Sequence, residues 1–255
     1  TLFPYTTLFR SVYGGGSIKK TGLYDEVIKI LKDNNKEIFE DAGVMPNPTV
    51  EKLYEGCERA RKGNVDFILA VGGGSVCDYA KAVSVSVYSE EDPWDKYFLR
   101  MEDVDNKIIP VGCVLTMAGT GSEMNGGSVI SNEKTQEKLA FGHPLLVPVF
   151  TFEDPTLTFS VSKYQTAAGA TDIVSHLLEQ YFSSHNDDGL PDRLTEAMMI
   201  NVINYAKKAV LEPDNYEARA NLMWTSSLAL NNLVTYGKKH GDWASHGIEH
   251  EVSAI

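Results

Sequence analysis

The stretch Phe67-Ile68-Leu69-Ala70-Val71 constrains this chain more than any other. It is apolar at every position and stops at Gly72-Gly73-Gly74-Ser75. A strand with no polar face fits a position buried on both sides, which is the environment of a parallel sheet covered by helices. Ser75 through Val87 then has the spacing of the covering helix. Ile108–Leu115 is a second strand of the same kind, with Pro110 near its start, where a missing N–H is tolerated. Val12-Tyr13 reads as the end of another strand, and Leu23, Val27, Ile30 and Leu31 mark an amphipathic helix. Glu37-Ile38-Phe39 is a short strand. Thr49 is placed to cap a helix carrying Val50, Leu53, Tyr54, Cys57 and Ala60. Strands and helices in alternation predict a doubly wound α/β domain with a mostly parallel sheet.

After Val147–Phe152 and the turn Glu153-Asp154-Pro155 the pattern changes. From about Ser162 the spacing is helical throughout: 162–182, 191–210, 215–236 and 242–255, with Ser183–Pro191 as a polar loop. An all-α domain over 161–255 following an α/β domain over 12–160 is the expected organisation. Residues Thr1–Ser11, TLFPYTTLFRS, read as the in-frame translation of a sequencing adapter. They are set aside from the fold, although a short Pro-containing edge strand is the alternative. Native sequence is expected from Val12. At the other end, Glu251–Ile255 stops inside an apolar-periodic helix without a cap. A fragment cut at both ends is therefore expected.

With 255 residues, 43% of them hydrophobic, and a net charge of −12, the chain offers no basic face to nucleic acid or to an anionic membrane. No apolar run is long enough for a membrane span, and no signal peptide is visible. Cys57, Cys77 and Cys113 form no CxxC pair and read as small apolar residues of a reducing cytoplasm. A homodimer is possible; the sequence leaves it open.

Three loops follow strands and carry glycine with hydroxyl groups. Gly73, Gly74 and Ser75 open a helix, where free N–H groups bind phosphate, and Asp78 lies in that helix's first turns. The same pattern serves equally as a tight strand-to-helix turn. Thr116-Met117-Ala118-Gly119-Thr120-Gly121-Ser122-Glu123 follows the next strand, and its Thr116, Thr120 and Ser122 suit a ligand crevice. Gly14-Gly15-Gly16-Ser17 comes first in the chain, with Lys19 and Lys20 beyond it. No Asp or Glu occurs between Val12 and Leu23 to favour a ribose 2′-hydroxyl, so the loop can admit a 2′-phosphate; it serves equally as a surface turn with solvated lysines. Loops on neighbouring strands suggest one extended ligand such as a dinucleotide.

Asp172 and His176 lie four apart in a helix marked by Ile173, Leu177 and Tyr181, so they share a face. A carboxylate and an imidazole one turn apart make half of a divalent metal site. Alone, such a pair is equally a solvated pair or a capped core histidine. His246 and His250 repeat the spacing in Asp242-Trp243-Ala244-Ser245-His246-Gly247-Ile248-Glu249-His250.

Taken together, these motifs resemble the iron-containing (group III) alcohol dehydrogenase family. The segments TGSEMNGG, YQTAAG, LLEQYF, YEARANLMW and DWASH most resemble its butanol dehydrogenase and broad aldehyde reductase subgroup. The resemblance covers Val12 to Ile255. It implies a dinucleotide-binding domain, a helical metal domain and a cleft between them. It implies Asp172, His176 and His246 as ligands of Fe(II) or Zn, His250 as a catalytic histidine on the proton route, and Lys138 as a further cofactor contact. The family's fourth ligand falls about ten residues past the position of His250, beyond Ile255. The implied reaction is hydride transfer between NADP, or NAD, and a small alcohol or aldehyde such as butanol or butanal. Two alternatives stand beside it: a dehydroquinate synthase-like lyase on the same superfold, and a non-catalytic nucleotide-binding remnant. The lyase calls for basic residues clustered around the metal; the helical half shows Lys238 and Lys239 but no such cluster near Asp172.

Overall fold

The structure, a computed structural model, describes residues 8–182, 189–236, 238, 241 and 243–255. Its contacts divide into two compact units. One runs up to Val114 and adds Gly126–Phe152 and Ala254–Ile255; the other comprises Leu115–Asn125 and Glu153–Ser253. The loop that follows the second buried strand is thus counted with the helical residues.

The first unit alternates strands and helices: β1 (Leu8–Gly14), α1 (Ser17–Lys20), α2 (Leu23–Asp33), β2 (Glu37–Val44), α3 (Val50–Lys62), β3 (Phe67–Gly72), α4 (Gly74–Ser86) and β4 (Val111–Leu115). β5 (Gly127–Asn132), β6 (Glu137–Gly142) and the short β7 (Phe150–Phe152) complete it. The main sheet has the order β2-β1-β3-β4-β7. β1 pairs in parallel with both β2 and β3, and β7 in parallel with β4. Every residue of β3 and of β4 is buried, as their unbroken apolar sequence requires. Thr49 caps α3, its hydroxyl accepting from the Lys52 N–H.

Two features differ from the sequence reading. β1 begins at Leu8, so Leu8–Ser11, set aside above as adapter, pair with Glu37–Glu40 of β2, and Phe9–Ser11 pair with Phe67–Leu69 of β3. An inner sheet position supplies backbone hydrogen bonds on both sides, and these hold any segment able to extend, whatever its origin. Thr1–Thr7 lie outside the described residues. Second, an antiparallel hairpin, β5–β6, follows the loop after β4. It is anchored on α4, where the Asp78 carboxylate accepts from the Val129 N–H at 3.1 Å and the Asp78 carbonyl accepts from the Ser128 hydroxyl at 2.8 Å.

The second unit contains α5 (Lys163–Tyr181), α6 (Leu190–Leu211), α7 (Tyr216–Leu230) and α8 (Ala244–Ser253). Ser162 caps α5 and Asn215 caps α7 through side-chain oxygens that accept backbone N–H groups. Ile173 and Leu177 of α5, Val202 and Ala209 of α6, and Ala218, Leu222 and Ala229 of α7 form the core. The helix expected over 215–236 stops at Leu230, and Asn232 two residues on takes a left-handed φ of 72°. Six residues of the polar loop (183–188), together with Lys239 and Asp242, lie outside the described residues. Among those described, no helix is long and apolar enough to cross a membrane.

Candidate metal centre

α5 presents two faces. Ile173 and Leu177 enter the core, while Asp172, His176 and Glu179 recur at steps of four and three on another side. α8 brings His246 to that side. Asp172, His176 and His246 each offer one ligand atom, and all of these lie within 4.8 Å of one another. His176 Nε2 is 3.5 Å and His246 Nε2 3.7 Å from the same oxygen, Asp172 Oδ1. Ligands about 2.1 Å from a common ion are roughly 3–3.5 Å apart, so small side-chain adjustments suffice to close the set around a cation. The two imidazole rings stack at 4.6 Å, and Trp243 packs edge-on against His246 at 5.4 Å.

Ring tautomers matter here because a ligating imidazole nitrogen must be unprotonated. Burial pushes His176 down to about 4, against the raising effect of Asp172, so it is neutral at ordinary pH. His246 is held above the usual imidazole value by its contact with Asp172 and by Glu179, against the lowering effect of burial. Glu179 Oε1 accepts from the His246 backbone N–H at 2.9 Å and lies 3.1 Å from His246 Nδ1. It satisfies a free amide of the first turn of α8 and directs a proton to Nδ1, leaving Nε2 as the ligand atom. Burial raises the Glu179 carboxyl, but the hydrogen bonds from His246 outweigh it and the net value is lowered. One carboxylate oxygen with two imidazole nitrogens, one of them oriented by a second carboxylate, fits a divalent cation such as iron or zinc.

His250 lies one turn beyond His246, outside this cluster, with Nε2 3.8 Å from Glu249 Oε2. The first unit holds two of the glycine loops. Gly14, Gly15 and Ser17 connect β1 to α1, with Gly16 at a left-handed φ of 111°. Gly73, Gly74 and Ser75 connect β3 to α4. A Cβ on Gly72 would stand 2.5 Å from Val76 Cγ2, so glycine lets α4 close tightly on the end of its strand. Asp78, expected near the cofactor, is occupied by the hairpin anchor. Lys138 sits on β6, paired with Ser131 of β5. Thr116, Thr120 and Ser122 belong to the second unit's loop. There a Cβ on Gly169 of α5 would fall 2.4 Å from the Ala118 carbonyl oxygen, and the Gly119 N–H donates to Ser226 Oγ of α7 at 2.8 Å.

Family models match nearly the whole chain: iron-containing alcohol dehydrogenase over residues 9–155, and the C-terminal region of the same family over residues 166–255. The chain belongs to the iron-containing alcohol dehydrogenase family. Among its relatives in this family is NADH-dependent butanol dehydrogenase A of Clostridium acetobutylicum, 47% identical over 95% of this chain and 62% of that protein. The NADPH-dependent aldehyde reductase YqhD of Escherichia coli is 40% identical over 99% of this chain and 65% of its own length. The crystal structure of NADH-dependent butanol dehydrogenase A from Thermotoga maritima superposes with a TM-score of 0.94 at 41% identity, covering 98% of this chain and 62% of that one. The chain thus spans just under two thirds of the length of these relatives.

Sequence reasoning missed Glu179. Its signal was present, since Asp172, His176 and Glu179 keep helical spacing, but the carboxylate reads as an ordinary solvated charge until α8 is seen to begin against it.

Proposed function

We propose that the protein containing this chain is a metal-dependent, NAD(P)H-linked alcohol dehydrogenase or aldehyde reductase acting on small alcohols and aldehydes. The convergence of Asp172, His176 and His246 on one point carries the reading. We assign the first unit to the dinucleotide and the second to the metal. Asp172, His176 and His246 would hold the ion, which when bound supplies Lewis acidity toward a substrate oxygen. His176, buried and neutral, presents a nitrogen without losing a proton first. Glu179 fixes the ring of His246. His250, one turn along α8, is the group we assign to the proton route. The backbone N–H groups of Gly73, Gly74 and Ser75 at the start of α4, with those of Gly14, Gly15 and Ser17, suit the phosphates of the cofactor.

NADPH over NADH is the finer part of the proposal. It rests on the absence of any acid from Tyr13 to Gly22 and on Lys20, exposed beside the loop. Lys19 is directed elsewhere, its Nζ 4.6 Å from the Tyr24 ring centre and 5.1 Å from that of Tyr13. The carboxylate nearest these rings is Glu40 of β2, which accepts from the Tyr13 hydroxyl at 2.7 Å and from the Tyr24 hydroxyl at 2.9 Å. Among the relatives, the butanol dehydrogenases carry NADH in their names and YqhD carries NADPH.

His176→Ala in the whole protein tests the core of the reading: aldehyde-dependent NAD(P)H oxidation should fall to background while cofactor binding persists. Near-normal turnover by that variant would refute it. For the cofactor, Gly15→Asp should shift kcat/KM toward NADH, because the new charge opposes a 2′-phosphate. A parent enzyme that already works better with NADH contradicts the NADPH part alone.

A further inference from the structure

We infer that Arg219 and Thr166 hold a small monovalent inorganic anion, of halide size, in a cavity of the helical unit. Arg219 lies in the first turns of α7 and is only 4% exposed. Its Nε donates to the Pro213 carbonyl at 2.8 Å and its Nη1 to Thr166 Oγ1 at 2.8 Å. Both acceptors are neutral. Nη2 is buried and has no partner, and no carboxylate pairs with the guanidinium among the described residues. Burial lowers its affinity for the proton, yet a guanidinium starts so far above neutrality that it stays charged. An uncompensated buried cation is strongly unfavourable, so the site calls for negative charge.

The cavity beside Arg219 supplies the space. It is lined by Met117, Ala118, Thr158, Thr166 and Ile173 as well as Arg219; it admits one water-sized particle as it stands, and the unbranched, adaptable Met117 side chain in its wall can yield the small extra width a halide needs. Thr158 spends its proton on the Pro155 carbonyl at 2.7 Å. Thr166 accepts from Arg219, and its own hydroxyl proton meets no acceptor among the described residues. Two donors, Arg219 Nη2 and Thr166 Oγ1, therefore remain for one occupant. Both residues lie near the N-terminal ends of their helices, α7 and α5, where the helix dipoles also favour an anion. Water could accept the same two bonds, but it would leave the charge unmatched and bring two protons of its own. Because Met117 and Ala118 form one wall, the anion would brace the loop whose next residue, Gly119, is tied to Ser226.

Bromide is the probe. Thermal unfolding would be compared in sodium bromide and sodium gluconate at equal ionic strength, and bromide located by anomalous diffraction from crystals of the same protein. We expect a bromide-dependent rise in Tm of roughly a few degrees and a bromide in contact with Arg219 Nη2. Thr166→Val should cut the rise by half or more, and Arg219→Gln should abolish it. If Arg219→Gln does not fold, Thr166→Val and the bromide position still decide. A cavity that keeps only water, an equal Tm in both salts, or a rise that Thr166→Val leaves intact each overturns the inference.

Discussion

At the scale of single residues, the second unit places carboxylates in two opposite roles. Glu179 is held ionised by the groups around His246, and it orients a candidate ligand. Replacing it with glutamine keeps the shape but weakens the acceptor, so the affinity of the site for Zn²⁺ should fall about 10–100-fold. A competition titration on Glu179→Gln measures this, with helix content as control; an unchanged affinity would remove Glu179 from the site's design. Glu153 is the reverse case. Burial raises its carboxyl, its hydrogen bond from Ser227 lowers it, and the neighbouring Glu123 raises it further. Ser227 Oγ is 2.5 Å from Glu123 Oε1 and 2.9 Å from Glu153 Oε1, and its single proton can serve only one of them at a time. A carboxyl raised on folding binds protons better in the native state. Stability therefore falls as pH climbs from the ordinary value of 4.5 through the raised one, and the loss is complete above it. Glu153→Gln should remove that slope: relative to the variant, wild type should lose stability as pH rises above about 4.5. A wild-type-minus-variant difference that is flat, or rises with pH, in denaturant melts would contradict the assignment.

Among the elements, a buried polar knot joins β2, α3 and α4. Asp41 of β2 is fully buried; Lys52 Nζ of α3 donates to it at 3.0 Å and the Tyr79 hydroxyl of α4 at 2.6 Å. Lys52→Met would strand this carboxylate and should destabilise the chain by about 3–5 kcal/mol. Equilibrium unfolding checks it, and a loss under 1 kcal/mol would mean that Tyr79 and Arg59, whose Nη1 is 3.6 Å from Asp41, suffice. The knot also marks where sequence reading stops. β3, β4, the Thr49 cap and the Asp172–His176 face were legible because each depends on neighbours within one or two turns. Asp41 with Tyr79, Asp78 with the β5 backbone, and Glu179 with His246 join residues 38, 51 and 67 positions apart. No local pattern distinguishes such a residue from a solvated charge. The first half of β1 was set aside for a different reason: Leu8–Ser11 were judged by origin, whereas a sheet selects on backbone pairing.

On the scale of the whole chain, each unit has its own apolar core and its own candidate ligand groups. Val12, Ile68, Ala70 and Cys77 belong to the core under the glycine loops, and Ile173, Leu177 and Leu222 to the core under Asp172 and His176. A ligand stabilises the conformations that present its site, and amide exchange reads that stabilisation segment by segment. Held by Asp172, His176 and His246 as proposed, Zn²⁺ would tether α5 to α8, so it should slow exchange over Lys163–Tyr181 and Ala244–Ser253. α8 should gain most, because it has no fully buried residue of its own and rests on its contacts at the site. β3 and the start of α4 carry none of the three ligands and should exchange at unchanged rates. Their amides should instead slow when NADPH is added, if the glycine loops hold its phosphates. Mass-resolved hydrogen exchange with zinc alone, NADPH alone and both separates these effects. Zinc protection that spares α8, or that appears first in β3 and α4, would contradict the ligand set drawn from α5 and α8.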